Sequence, residues 1–363
     1  MNTNELRFLS SLILTVIWIG VALLVLFTEF VNQFLPNEPS WILPLELFWI
    51  ALFVTLHALV LAPFDIFSGY YLSKREGSCF RLGEYLGRYG KSVIRHALIM
   101  ALVFFSILQV GKLHDRTGVM VFIGGLLLLA LFFQVRVANF IGFFKLERGG
   151  RGEVYFADGP SRTGFTGGVA GFPFLEKIIL PKEAAANEES QVQKQESYFL
   201  SRSRIKGVLI PYFWNLYGFW SASLFAGADV VSIGGMLKTV MAFSIWCFLG
   251  QILLAGLTKS GFFEADHYFL SHGGSRDFLE QTIRTWGVAQ FERPSESRLL
   301  KSLSFIPTST QRLENLGSQS GFFGAFDAYH FMQYFSWICL SPLSRVDMRT
   351  LGRPERWVIS GYA

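Results

Sequence analysis

From Phe8 to Thr28 the chain runs without a single Asp, Glu, Lys or Arg. A helix of about 20 such residues is about 30 Å long, the hydrocarbon thickness of a bilayer. Five further uncharged runs follow: Leu47 to Ala62, Ala97 to Gly111, Thr117 to Val135, Val208 to Ala228 and Thr239 to Thr258. Helices in soluble domains carry one apolar stripe, whereas these runs are apolar all round. The pattern predicts an α-helical integral membrane protein of six transmembrane helices. The first run carries bulky aliphatics and Trp18 and lacks a small-residue cleavage site, so it is expected to remain as a span rather than leave as a signal peptide.

Composition agrees. Of 363 residues, 51% are hydrophobic and 16% charged, below the ~25% charged fraction of ordinary soluble domains. The net charge of +5 does not point to nucleic acid, because Lys and Arg fall at the ends of apolar runs, where they set orientation and meet anionic headgroups. Cys79, Cys247 and Cys339 are far apart and supply neither a disulfide framework nor a Cys-x-x-Cys pair. They read as buried small hydrophobes.

Between the runs the chain is polar. Pro36, Pro39 and Pro44 break the first connection, and Pro63 is expected to end the second helix. Arg81 to Arg95, with Arg88, Lys91 and several aromatics, reads as an interfacial helix. Arg136 to Lys206 forms a charged, Gly-rich insert with an expected strand at Lys177 to Leu180 and a helical pattern from Glu183 to Arg204. An aromatic run at Gly321 to Leu343 contains Asp327, His330 and Gln333. Those polar groups favour an interfacial helix, with a seventh span as the alternative.

The loop after the first run holds Glu29, Glu38 and Glu46 and no Lys or Arg, while the segments after the second and fourth runs are basic. Positive charge stays on the cytoplasmic side. Six spans then place both termini and the insert in the cytoplasm, with a bacterial cytoplasmic membrane as the expected location. The expected organisation is a four-span region over 1–135, a cytoplasmic insert over 136–206, a two-span hairpin over 207–258, a cytoplasmic helical region over 259–320 and an aromatic tail over 321–363.

The candidate chemistry lies in the insert and after the sixth span. On spacing alone, Gln195 to Phe199 is a solvated amphipathic helix leading into the span at Val208. The same residues stand where a His-Glu-x-x-His helix would place a zinc ligand, a general base and a second ligand. Histidines four apart share one helix face and hold zinc at ~2.0 Å each, and a carboxylate from a later helix completes the set. Gln195 is a weak donor and Phe199 has none. Glu264 and His267 are three apart on one helix face, so a relocated zinc on Glu264, His267 and one of His272 or His330 is the alternative metal site.

The whole chain resembles the integral-membrane zinc metallopeptidases that include the type I CAAX prenyl endopeptidases and their bacterial heat-shock relatives. Four stretches carry the resemblance: Pro63-Phe-Asp-Ile-Phe-Ser to Lys74-Arg-Glu-Gly77, Thr166-Gly-Gly to Phe172-Pro-Phe-Leu-Glu-Lys-Ile-Ile-Leu180, Gln195 to Phe199, and Glu264-Ala-Asp266 followed by Ile306-Pro to Arg312-Leu-Glu-Asn-Leu316. The resemblance implies that Glu196 takes the general-base position, Glu264 the third-ligand position and Asp266 a place beside that ligand. It implies that Gln195 and Phe199 are degenerate ligand positions. It also implies that Lys177, Ile178, Ile179 and Leu180 form an edge strand that binds substrate backbone.

The reading that follows is a small cytoplasmic α+β metallopeptidase-like portion on a six-span base, inactive because both histidines are missing, without a cofactor, and acting as a scaffold or adaptor for an extended polypeptide or membrane-protein partner. An active metalloendopeptidase with an atypical site is the second reading. A transporter or channel is the third, and the absence of Asp, Glu, Lys and Arg from the six runs argues against it.

Overall fold

The computed structural model describes residues 3–28, 33–36, 38–39, 41–77, 81–114, 116–142, 145–148, 154–158, 168–181, 190–226, 230–289, 307–317, 324–325, 327–347, 350–354 and 357–358. Thr166, Ile306, residues 183–189 of the expected insert helix and the side chain of Gln195 lie outside what is described.

The protein is an α-helical integral membrane protein with a small sheet. Helices α1 (Thr3–Phe27), α2 (Leu43–Ile66), α3 (Leu82–Leu113), α4 (Arg116–Phe132) and α5 (Gln134–Gly142) lead into the sheet. Strands β1 (Lys145–Arg148), β2 (Val154–Asp158), β3 (Gly168–Ala170) and β4 (Lys177–Pro181) are followed by the two longest helices, α6 (Ser190–Phe225) and α7 (Ile233–Ser271). Then come α8 (Arg276–Ala289), α9 (Ser309–Asn315) and α10 (Ala328–Ile338).

Four helical stretches are long and apolar enough to cross a membrane: Thr3–Phe27, Leu43–Arg75, Leu82–Leu113 and Ile233–Ser271. A fifth arises if α4 and α5, bent by 71° at their junction, count as one span. The expected run from Val208 is the C-terminal half of α6. It is helical but less apolar than the others, because Pro211, Asn215 and two tyrosines interrupt it.

Two expected helix ends move. Pro63 does not stop the second helix, which continues through a π-helical stretch, Phe67–Leu72, to Arg75. A proline in a membrane helix removes one backbone bond, and local readjustment of the following turns absorbs the loss. Arg81 to Arg95 is not a separate interfacial helix but the first half of α3, a continuous helix of 32 residues. Nothing between the halves breaks it, and at about 1.5 Å per residue it outruns the bilayer, so its basic half extends beyond the apolar layer.

The third correction concerns the aromatic tail. Helix α10 has 11 residues, too short to span, and every one of them is buried. It lies among α6, α7 and α4 rather than at an interface. The polar groups that suggested an interface have partners inside the protein. Gln333 donates to the Tyr329 hydroxyl at 3.3 Å, and His330 Nε2 meets the Val358 carbonyl at 3.2 Å.

The segment after α10 is clamped to the first spans. Asp65, fully buried in α2, accepts from Tyr89 at 2.8 Å, Arg345 at 2.5 Å and the Gly352 N–H at 2.5 Å. Gly352, at φ 72°, lies backbone to backbone against Gly69, where a Cβ on either would overlap the other chain. At the outer ends Arg7 pairs with Glu76, and Lys112 with Glu46.

Helices α6 and α7 pack antiparallel by reciprocal Gly-to-Trp contacts. Gly218 lies under Trp246, Gly250 lies under Trp214, and Trp246 donates to the Trp214 carbonyl at 3.1 Å. Small residues permit this close approach where two membrane helices have no hydrophobic drive to associate. The pairing fixes the register of the two helices that carry the candidate site.

The sheet has the order β1-β2-β4-β3. Strand β4 pairs parallel to β2, Tyr155 opposite Ile179, and antiparallel to β3, Gly168 opposite Ile179. The expected edge strand at Lys177 to Leu180 is therefore an interior strand. Its two hydrogen-bonding edges are taken by β2 over Ile178 to Pro181 and by β3 over Lys177 to Ile179. The sequence signal was a short apolar run, and such a run is equally the mark of a central strand, since Ile178, Ile179 and Leu180 are all buried.

Candidate functional site

Glu196 lies in the polar N-terminal half of α6, and Asp266 in the C-terminal half of α7. Both are buried, and one guanidinium joins them. Arg312 comes from α9, whose start is fixed by a capping box: the Gln311 N–H donates to Thr308 Oγ1 at 3.2 Å, and the Thr308 N–H donates back to Gln311 Oε1 at 3.0 Å. This places Arg312 four residues past the cap and facing α6 and α7. Its Nε donates to Asp266 Oδ2 at 3.0 Å, and its Nη2 reaches both Asp266 Oδ1 and, at 3.1 Å, Glu196 Oε1.

The three side chains are 9%, 5% and 2% exposed for Arg312, Glu196 and Asp266. Two carboxyl groups thus share one cation in a buried site. Burial pushes the Glu196 carboxyl well above the usual range, and the neighbouring Asp266 adds to that push against the opposing pull of Arg312.

One turn along each helix the site turns apolar. Phe199, three residues after Glu196, stacks on Tyr268 with centroids 4.7 Å apart. It also packs on a cluster formed by Ala255, Phe262, Ala265 and Tyr329. Phe262 lies four residues before Asp266, hence on the same face of α7. Glu264 is two residues from Asp266, about 200° around the helix. Its Oε1 accepts from the Gly324 N–H at 2.7 Å.

This placement corrects the third-ligand position. The residue of α7 that faces the Glu196–Phe199 turn one turn from Asp266 is Phe262, not Glu264. Glu196 is bonded to Arg312 and Glu264 to the Gly324 N–H, so the two carboxylates are held by different partners.

The histidines do not assemble a substitute. His272 is exposed at the end of α7, its ring 3.9 Å from that of Tyr268. His330 is buried in α10 against Val358. His267 is half-buried, with Nε2 lacking a hydrogen-bond partner among the described residues. Among the described residues no group of three or more His, Cys, Asp or Glu could hold a metal ion.

Comparison by sequence finds no matching family model and no matching curated protein. Comparison of structures finds the crystal structure of S. mikatae Ste24p, with a TM-score of 0.60 and 16% identity, covering 73% of this chain and 74% of that one. The fold is Ste24p-like.

The resemblance read from the sequence implies a zinc ion, and the donors here do not fit one. Phe199 and Phe262 have no donor atoms, and the oxygens of Glu196 and Asp266 that face the site are engaged by Arg312. Sequence reading singled out Glu196 and Asp266. It found Arg312 only as part of a phrase, and it missed Phe262. The signal for Phe262 was available in its spacing of four from Asp266.

Proposed function

We propose that this protein is a non-hydrolytic member of the Ste24p-like fold class, a membrane scaffold or adaptor that holds a polypeptide or another membrane protein without cutting it. One observation carries the reading: Arg312 is bonded to both Glu196 and Asp266, so the carboxylate at the general-base position is already engaged by a fixed cation. A guanidinium supplies positive charge and five donors, but it has no open coordination position and cannot lower the pKa of a bound water as zinc does. The Phe199 and Phe262 side chains beside it pack in one apolar cluster and offer no donor atom to a metal. Because β4 is paired on both sides, the partner is not held by strand addition on Lys177 to Leu180.

The test is the metal content and casein-cleaving activity of the detergent-purified protein, with Glu264→Ala and His267→Ala alongside. No stoichiometric zinc and no cleavage supports the reading. Zinc near one per chain that drops in either variant overturns it in favour of a relocated catalytic site.

A further inference from the structure

Between β3 and β4 the chain turns over residues 172–175, closed by the Leu175 N–H donating to the Phe172 carbonyl at 2.9 Å. Pro173 fixes φ at the first corner. At the second corner Phe174 has φ 72°. This is type II geometry, whose second corner favours glycine because a Cβ there crowds the backbone. Turn chemistry does not call for an aromatic residue at this point. Packing does not call for it either, since Phe174 is 82% exposed and Leu175 64%. A strained backbone and an exposed aromatic ring are both unfavourable in water, and here they coincide.

The place of the turn supplies a reason. Gly171, one residue before it, donates its N–H to Gln134 Oε1 at 2.9 Å. Gln134 opens α5 just past the end of α4 at Phe132, where the helix bends by 71°. Its Oε1 also receives Arg204 Nη2 at 3.1 Å, four residues before the apolar half of α6 begins. Three elements thus mark one level, the boundary at which α4 and α6 leave the apolar layer. Helix α5 presents Arg136 and Phe140 on one exposed face, with Phe140 held by Arg95 at 5.0 Å, as in a helix lying among headgroups. Phe174 is three residues from Gly171 and so within about 11 Å of it. The headgroup layer is itself about 5–8 Å deep on each side.

We propose that Phe174 and Leu175 insert into the boundary between headgroups and acyl chains at the Gln134 end of α4, anchoring the sheet to the bilayer. The apolar surface of the turn then continues the lipid-facing surface of α4, where Phe132 is 59% exposed. Lys177, two residues beyond the turn and held over the Tyr155 ring at 4.9 Å, stands where it meets lipid phosphate. Because β3 and β4 contact α6, the anchor sets the height of the Glu196 end of that helix above the membrane.

The experiment places a nitroxide spin label at Phe174→Cys, in a Cys79→Ser background, with the protein in phosphatidylcholine–phosphatidylglycerol nanodiscs. Cys247 and Cys339 are buried, and the background without an added cysteine checks that they stay unlabelled. Collision with oxygen, which partitions into lipid, is compared with collision with a water-soluble nickel complex. A label at Asp277→Cys, exposed on α8, is the aqueous reference. The expected result is an oxygen-to-nickel ratio at 174 several-fold above that at 277, repeated at Leu175→Cys should Phe174→Cys fail to fold. A ratio equal to that at 277, or a label shielded from both reagents by protein, overturns the proposal.

Discussion

Arg312 grips Asp266 through both carboxylate oxygens, Nε on one and Nη2 on the other. A bidentate pair of this kind fixes the planes of both groups, so α9 cannot shift along α7 without breaking two bonds. Glu196 then attaches α6 to the same guanidinium. The connection spans three segments that the sequence separates by 116 and 46 residues.

Removing the cation leaves two buried acids facing each other. Arg312→Met is expected to lower stability by about 3–5 kcal/mol, the cost of an uncompensated buried charge. The triple variant Arg312→Met, Glu196→Gln, Asp266→Asn should recover a substantial part of that loss. Denaturant unfolding in detergent measures both, and equal stability of wild type and Arg312→Met would show that the cluster holds nothing together.

The pH dependence has a definite sign. Glu196 binds its proton more tightly in the folded protein than at the ordinary value of 4.5, first because it is buried and then because Asp266 lies beside it. The folded state therefore carries more protons than the unfolded state above that value, and stability contributed by this group falls as pH rises from 4.5 toward the raised folded value. Glu196→Gln is expected to flatten that part of the curve and to unfold at a higher temperature than wild type near pH 8. A slope unchanged in the variant would assign it to other groups.

If the phenylalanines are what exclude a metal, restoring donors should admit one. Gln195→His with Phe199→His rebuilds the two-histidine face, and Phe262→Glu adds the carboxylate from the face of α7 that meets it. The triple variant is expected to bind stoichiometric zinc where wild type does not. Substituting Phe262→Glu should matter more than retaining Glu264, because Glu264 points toward Gly324. Metal analysis with and without Glu264→Ala decides between the two positions.

The C-terminal clamp depends on a contact that tolerates no side chain. Gly352→Ala puts a Cβ into the Asp65 carbonyl and the Gly69 backbone at a left-handed φ, so a loss of about 2–5 kcal/mol is expected. Asp65→Asn weakens the same clamp through Arg345. Both variants should release the segment after α10 to limited proteolysis in detergent, and a digestion pattern identical to wild type would mean that the segment is held by other contacts.

The sequence by itself determined that the chain enters a bilayer and roughly where most of its membrane helices lie. Hydropathy and the order of motifs are local properties, readable without knowing what packs on what. What touches what was decided by tertiary structure. The apolar run Lys177 to Leu180 reads the same at an edge or in a centre, and only the pairing with β2 and β3 made it central. The polar groups of Asp327 to Gln333 read as interfacial until α10 was found enclosed by other helices, with Gln333 bonded to Tyr329 of its own helix and His330 to the Val358 carbonyl. Glu264 and Phe262 are two residues apart, and the direction of Arg312 and Phe199 decided which faces the site, because a helix turns about 100° per residue and a face exists only relative to a neighbour.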